Sequence, residues 1–270
     1  MGGIASALSQ VGYLDTLAAR NTPVHRLDPR AKLITAMVFV VAVVSFGKYE
    51  IAVMVPFAVY PFVLASSGGI PAGFLARKLA VVSPFILFVG IFNPLMDREI
   101  IMHVGSVGVS GGWVSFASVV LRATLTLSVV MLLLATTGLN GIAAAMERLG
   151  VPKVFTVQLL FLYRYIFVLA EEALRLTRAR ALRTFGNRGS SFRPYVSLLG
   201  HLLLRTLDRA ERIHQAMLAR GFDGQVRLGR RLRFGTADLL FTLGWSALFV
   251  FMRIVDVPLF LGGIATGVLP

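Results

Sequence analysis

The feature that most constrains this chain is a series of long blocks without a charged residue. Leu33 to Gly47, Ile51 to Ala76 and Leu79 to Met96 carry none, and Trp113 to Thr137 carries one, Arg122. A helix crosses the hydrocarbon core of a bilayer with about 20 apolar residues, so the bilayer sets the architecture. Composition agrees, with 56% hydrophobic and 15% charged residues and a mean hydropathy of +0.77. A soluble domain is nearer one quarter charged. The expected fold is all-α, a polytopic membrane bundle of about five spans, the last from Ala237 to Met252.

Residues at the block ends set the topology. Lys32 and Lys48 flank a first block that is a little short, and both are expected to snorkel to the interfaces. The second block is long enough to span, and Ser66-Ser67-Gly68-Gly69-Ile70-Pro71 ends its helix in an interfacial turn. Pro84 and Pro94 imply a kink and an early end for the third, which Asp97-Arg98-Glu99 closes. Asp28 reads as the N-cap of the first membrane helix. Arg122 would cost about 2.5 to 3.5 kcal/mol at mid-membrane, so it is expected near an interface or in an intramolecular pair. Arg20, Arg26, Arg30 and Lys32 precede the first span, Arg77 and Lys78 follow the second, and an arginine cluster separates the fourth from the last. The positive-inside rule places all three groups in the cytoplasm, with an outside C-terminus.

Three regions follow: 1–137, the N-terminal tail and spans one to four; 138–234, a cytoplasmic helical insert; and 235–270, the last span and tail. Within the insert, Leu139 to Leu149 reads as a short surface helix broken by Gly150-Val151-Pro152. The turn cluster Gly186 to Ser191 separates two long arms, roughly Val154 to Phe185 and Phe192 to Arg220. Glu171 to Arg233 holds fourteen arginines against five acids, so each arm offers cations on one face. The second arm keeps an apolar stripe of Leu198, Leu199, Leu202, Leu203, Leu207, Ile213 and Met217.

Several chemistries find no residues here. The net charge of +14 gathers beside apolar blocks, where it orients the chain rather than binding nucleic acid. The absence of cysteine excludes a disulfide framework and thiolate ligation. His25, His103, His201 and His214 have no paired spacing on one helix, so no metal site is expected. No catalytic pair is visible within the spans and no cofactor motif occurs. Without a Gly-x-x-x-x-Gly-Lys-Ser/Thr loop, any ATP chemistry belongs to another polypeptide. Spans one to three lack acids and no internal repeat is seen, which disfavours a stand-alone secondary carrier or channel.

Two motifs carry a family resemblance. Pro23-Val24-His25-Arg26-Leu27-Asp28-Pro29-Arg30-Ala31-Lys32-Leu33 resembles the segment before the first span of CbiQ-type proteins, the transmembrane T components of energy-coupling factor transporters. Ala216 to Gly224 contains Ala219-Arg220-Gly221, similar to the family's Ala-Arg-Gly signature at the end of a coupling helix. The resemblance runs from about Tyr13 to Met252. It implies that Ala219, Arg220 and Gly221 dock on an ATPase subunit. At the first arm's end the matching stretch is Ala179-Arg180-Ala181-Leu182-Arg183-Thr184, a departure from Ala-Arg-Gly, and the role falls by analogous position to Arg183, with Arg180 as the reserve.

The resemblance further implies a non-catalytic coupling subunit for cobalt or nickel uptake in the cell membrane. Its partners would be CbiO-like ATPase subunits, a CbiM-like substrate-binding membrane subunit and a small CbiN-like accessory subunit. A T component serving a vitamin carrier is the nearest alternative.

Overall fold

The computed structural model describes residues 12–97, 100–104, 107–183, 193–224 and 234–255. Helix α1 covers residues 12–18, followed by α2 (Pro23–Arg26), α3 (Pro29–Val44), α4 (Ile51–Met54), a 3-10 turn (Val55–Ala58), α5 (Val59–Ser67), α6 (Ala72–Gly90) and α7 (Phe92–Met96). A hairpin of β1 (Ile100–Val104) and β2 (Val107–Ser110) precedes α8 (Gly111–Arg148), α9 (Lys153–Arg183), α10 (Arg193–Ala219) and α11 (Thr236–Ile254). The chain divides into two compact units, one of Leu17–Gly138 with Leu232–Pro270, the other of Met1–Thr16 with Leu139–Arg231.

The first unit is built on α3 and α11, which run parallel and are tied at both ends. Asp28 caps α3 as its spacing from Pro29 suggests, its Oδ1 accepting from the Arg30 N–H at 2.9 Å. Asp238, which the sequence reading passed over, joins the two helix starts. Its Oδ1 accepts from the Asp28 N–H at 2.7 Å and its Oδ2 from the Gly235 N–H at 2.8 Å. At the far ends Arg253 donates to the Ser45 hydroxyl at 3.0 Å and lies over the Phe46 ring. Between these ties sits an aromatic core. Phe39 is fully buried, with ring centroids 5.2 Å from both Tyr60 and Phe249, and Trp245 packs 4.8 Å from Tyr60. Lipid tails are as apolar as these rings, so close packing, not escape from water, holds the helices together.

Two expectations about spans are corrected. The helix of the second block is not continuous: a 3-10 turn at Val55–Ala58, with Pro56 in its first positions, separates α4 from α5, which holds Pro61; the turn expected at Ser66 to Pro71 is present, with Gly69 at φ of 61°. Proline removes an N–H from the helical ladder, which accounts for the breakage. The next helix then begins at Ala72 instead of Leu79 and takes Arg77 and Lys78 into its first turns. Among the described residues four helical stretches are long and apolar enough to cross a membrane: Ala72–Met96, Gly111–Arg148, Lys153–Leu182 and Thr236–Ile254, with Ile51–Ser67 shorter. Strands β1 and β2 pair antiparallel, a small exception in a helical protein.

Lys32 is also corrected. It is 3% exposed and its Nζ donates to the Thr136 carbonyl at 2.8 Å. That carbonyl is available because α8 breaks at Gly138, where φ is 69°. A broken helix leaves its last carbonyls without N–H partners, and a cation there complements the helix dipole. The side chain therefore turns inward rather than snorkelling. Arg122 meets its expectation, with Nη2 donating to the Phe46 carbonyl at 2.8 Å.

His25 sits beside Lys32, and its partners fix its state. Nε2 donates to the Leu17 carbonyl at 3.0 Å, which leaves Nδ1 to accept from the Thr22 hydroxyl at 2.7 Å. Burial first, and the Lys32 charge second, hold the imidazole below its ordinary value near 6.5. The unfolded chain then binds more protons than the folded one as pH falls through the ordinary value. Stability contributed by neutral His25 is full above that value and is lost as pH drops toward the lowered one. Thermal unfolding in detergent between pH 7 and pH 5 is expected to show this fall, and His25→Gln to flatten it. An equal slope in both proteins would contradict the assignment.

Candidate functional site

The second unit presents two long helices, α9 and α10, as an antiparallel pair. Phe161 near the start of α9 meets Phe222 just beyond α10, with ring centroids 6.4 Å apart. Further along, Glu172 accepts from Arg205 at 2.6 Å. That ion pair is partly exposed and adds about 1 kcal/mol at most. A groove of about 500 Å³ lies between the helices, lined by Tyr165, Leu169, Ile213, Met217 and Phe222 among others. At the start of α9, Tyr163 donates to the Asp15 carboxylate at 2.6 Å.

The end of α10 is a Schellman cap. Gly221 has φ of 75°, its N–H bonds the Leu218 carbonyl at 2.9 Å, and the Phe222 N–H bonds the Met217 carbonyl at 3.0 Å. A left-handed residue is favoured there only when it lacks a Cβ, so glycine stops the helix at this residue. Ala219 closes the helix and Arg220 follows at the cap, both exposed. Among the described residues Arg220 has no ion-pair partner. Its charge suits the negative end of the helix dipole while it extends away from the arm.

The other candidates lie elsewhere on the pair. Arg183 is the last residue of α9, and Arg180 sits one turn before it, half-buried. Because Arg220 lies level with Phe161, the two arm ends are separated by the length of α9 from Phe161 to Arg183, about 33 Å at 1.5 Å per residue. The structure thus does not gather the candidates into one cluster: Ala219, Arg220 and Gly221 form one end, Arg180 and Arg183 the other. The turn cluster Gly186 to Ser191 lies outside the described residues.

The apolar stripe of α10 proves wider than α9 can cover. Leu198, Leu202, Ile213 and Met217 are half-buried, whereas Leu199, Leu203 and Leu207 are about 60% exposed. Leu204 and Val196 extend the uncovered face. Among the described residues no three His, Asp or Glu side chains stand together as metal ligands; His201 and His214 are exposed on α10.

A family model described as "Cobalt transport protein", CbiQ, matches residues 20–229, most of the chain and both motif regions. The chain belongs to the CbiQ family. Its CbiQ relatives include the cobalt transport protein CbiQ of Rhodobacter capsulatus, 25% identical over 81% of this chain and 87% of that protein. The energy-coupling factor transporter transmembrane protein EcfT of Acidaminococcus fermentans is 28% identical over 86% and 92%. That of Bacillus subtilis is 29% identical over 74% and 81%. This CbiQ-family chain is thus a multi-pass transmembrane component of the T type.

Asp238 is the residue that sequence reasoning missed. The signal was present, an acid three residues after Gly235 at the start of an apolar run, which is the spacing of a capping box.

Proposed function

We propose that this protein is the coupling subunit of an energy-coupling factor importer for cobalt or nickel ions. In this reading α9 and α10 are its coupling helices, and the subunit itself carries no catalytic step. The observation that carries the reading is the placement of two arginine-terminated helix ends about 33 Å apart on one antiparallel pair. Such a pair reaches two ATPase subunits at once, Arg220 docking on one and Arg183, supported by Arg180, on the other. When ATP draws the ATPases together, stiff helices carry the displacement toward the membrane.

The arms and the N-terminus lie on the cytoplasmic side, where the arginines place them under the positive-inside rule. Helix α9 is apolar enough to span, and it is the charge of its second half that favours a cytoplasmic position. Partners are CbiO-like ATPases, a CbiM-like substrate-binding membrane subunit and a CbiN-like accessory protein. The uncovered leucine face of α10 suits a membrane partner or the bilayer surface. Relatives named EcfT are as similar as the CbiQ of Rhodobacter capsulatus, which keeps a vitamin-carrier partner as the second reading.

The test is uptake by vesicles holding this chain, two ATPase subunits and a CbiM-like subunit. ATP-dependent accumulation of labelled cobalt or nickel is expected only when all are present. Accumulation of a vitamin with a different substrate-binding subunit, and no metal uptake, would favour the second reading. Transport by this chain alone would contradict both.

A further inference from the structure

A cavity of about 590 Å³ opens at the end of α3 remote from Asp28, between α8, the Lys48–Tyr49 turn and the end of α7. Along α8, Ser115, Ser118 and Arg122 line it, spaced so that they share one helix face. Ser115 is 5% exposed and Ser118 1%, and neither hydroxyl has a hydrogen-bond partner among the described residues. Other hydroxyls on this helix behave differently. Thr124, Thr126 and Ser128 each donate to the carbonyl four residues back, the usual resort of a helical hydroxyl in an apolar setting.

Arg122 repeats the pattern. Its Nη2 is engaged by the Phe46 carbonyl, while its Nε is buried without an acceptor. A guanidinium N–H can only donate. The cavity's one acid, Asp97, already accepts from the Tyr49 hydroxyl at 2.7 Å and pairs with Lys48 at 3.4 Å. Among the described residues the lining therefore carries one positive charge in excess, and although Asn93 also lines it, the buried Ser115, Ser118 and Arg122 Nε donors reach no acceptor. A tetrahedral anion with several oxygens meets an arginine N–H and two hydroxyls together. The volume is many times the roughly 30 Å³ share of one water, so a polyatomic ligand fits.

The rim distinguishes the source of that anion. Met96 lines the cavity and is 85% exposed. From it an exposed apolar surface continues through Leu95, Phe92 and Phe88 along α7 and α6. A free anion has no use for such a surface, whereas acyl chains do.

We propose that this cavity binds the phosphate of a phospholipid headgroup. Arg122, Ser115 and Ser118 donate to its oxygens, Lys48 stands at the mouth, and the chains lie along α7 and α6.

The test uses the full chain, purified and delipidated in detergent, titrated with dioctanoyl phosphatidylglycerol and followed by native mass spectrometry. Saturable binding of one lipid is expected. Ser115→Ala with Ser118→Ala should weaken it about tenfold or more, since each lost bond was to a charged group. Arg122→Gln should weaken it further. Because Arg122 also ties the end of α3, the serine pair, which ties nothing, keeps the test independent of folding. Dioctanoylglycerol, with the same chains and no phosphate, should not compete. Unchanged affinity in the serine variant, or equal binding of dioctanoylglycerol, would overturn the proposal. Displacement of the lipid by inorganic phosphate at matching concentration would overturn the lipid assignment and leave a site for a free anion.

Discussion

Asp238→Ala is expected to destabilise the membrane unit by about 3 kcal/mol, since hydrogen bonds to a charged group contribute about 1.5 to 3 kcal/mol each and two are lost. The Asp238 carboxylate is 6% exposed and accepts from the Asp28 N–H at 2.7 Å and the Gly235 N–H at 2.8 Å. Alanine leaves the Asp28 N–H at the start of α3 unmatched and uncaps α11 at the same time. The two helices share one aromatic core, so loosening their common start also relaxes the packing of Phe39 against Phe249. Asp238→Asn keeps one acceptor oxygen and turns a donor toward the other N–H, so it should fall between alanine and wild type. Thermal unfolding in detergent checks the order wild type, asparagine, alanine. Three coincident curves would show that the carboxylate is not what joins the helix starts.

Local signals in the sequence were readable because their physics is local. The Asp28 cap depends on Pro29 and Arg30, and the breaks after Leu149 and Arg220 depend on the glycine that follows. Gly150 has φ of 100° and Gly221 of 75°, as their positions at helix ends require. The division between the fourth span and the short helix from Leu139 falls at Gly138, which is left-handed.

Contacts between distant residues were not readable in this way. Lys32 looked like a snorkelling end residue because its acceptor, the Thr136 carbonyl, lies 104 positions away and exists only because α8 breaks. Asp238 and Asp28 are 210 positions apart. The second apolar block read as one span because hydropathy counts proline's neighbours and not the N–H that proline lacks. The stripe on α10 was visible as a period, but a period does not say how much of it one neighbouring helix will cover. At the candidate site the sequence placed Arg183, Ala219, Arg220 and Gly221 near helix ends, while their separation along an antiparallel pair required the pairing of Phe161 with Phe222 and Glu172 with Arg205.

Reversing the arm-end arginines is expected to have the largest functional effect. Arg220 is exposed at the cap of α10 and has no ion-pair partner among the described residues. Arg220→Glu therefore breaks no ion pair among the described residues, and against the helix dipole it costs about 0.3 to 1 kcal/mol. Against an acidic docking surface on an ATPase subunit, the partner proposed for Arg220, the cost is of another order. Loss of one member of a buried, hydrogen-bonded charge pair costs about 2 to 5 kcal/mol, which is roughly thirtyfold or more in affinity. Arg183→Glu should act the same way at the other end of the pair.

The most direct measurement is co-purification with the two ATPase subunits and ATP-driven uptake for wild type, Arg220→Glu, Arg183→Glu and the double variant, with membrane insertion checked for each. Each single reversal should weaken ATPase retention and uptake, and the double variant should lose both while still inserting. If the double variant retains its ATPases and transports at the wild-type rate, the arm ends are not the coupling contacts, and the arginine-rich insert is a solvated face that only orients the protein.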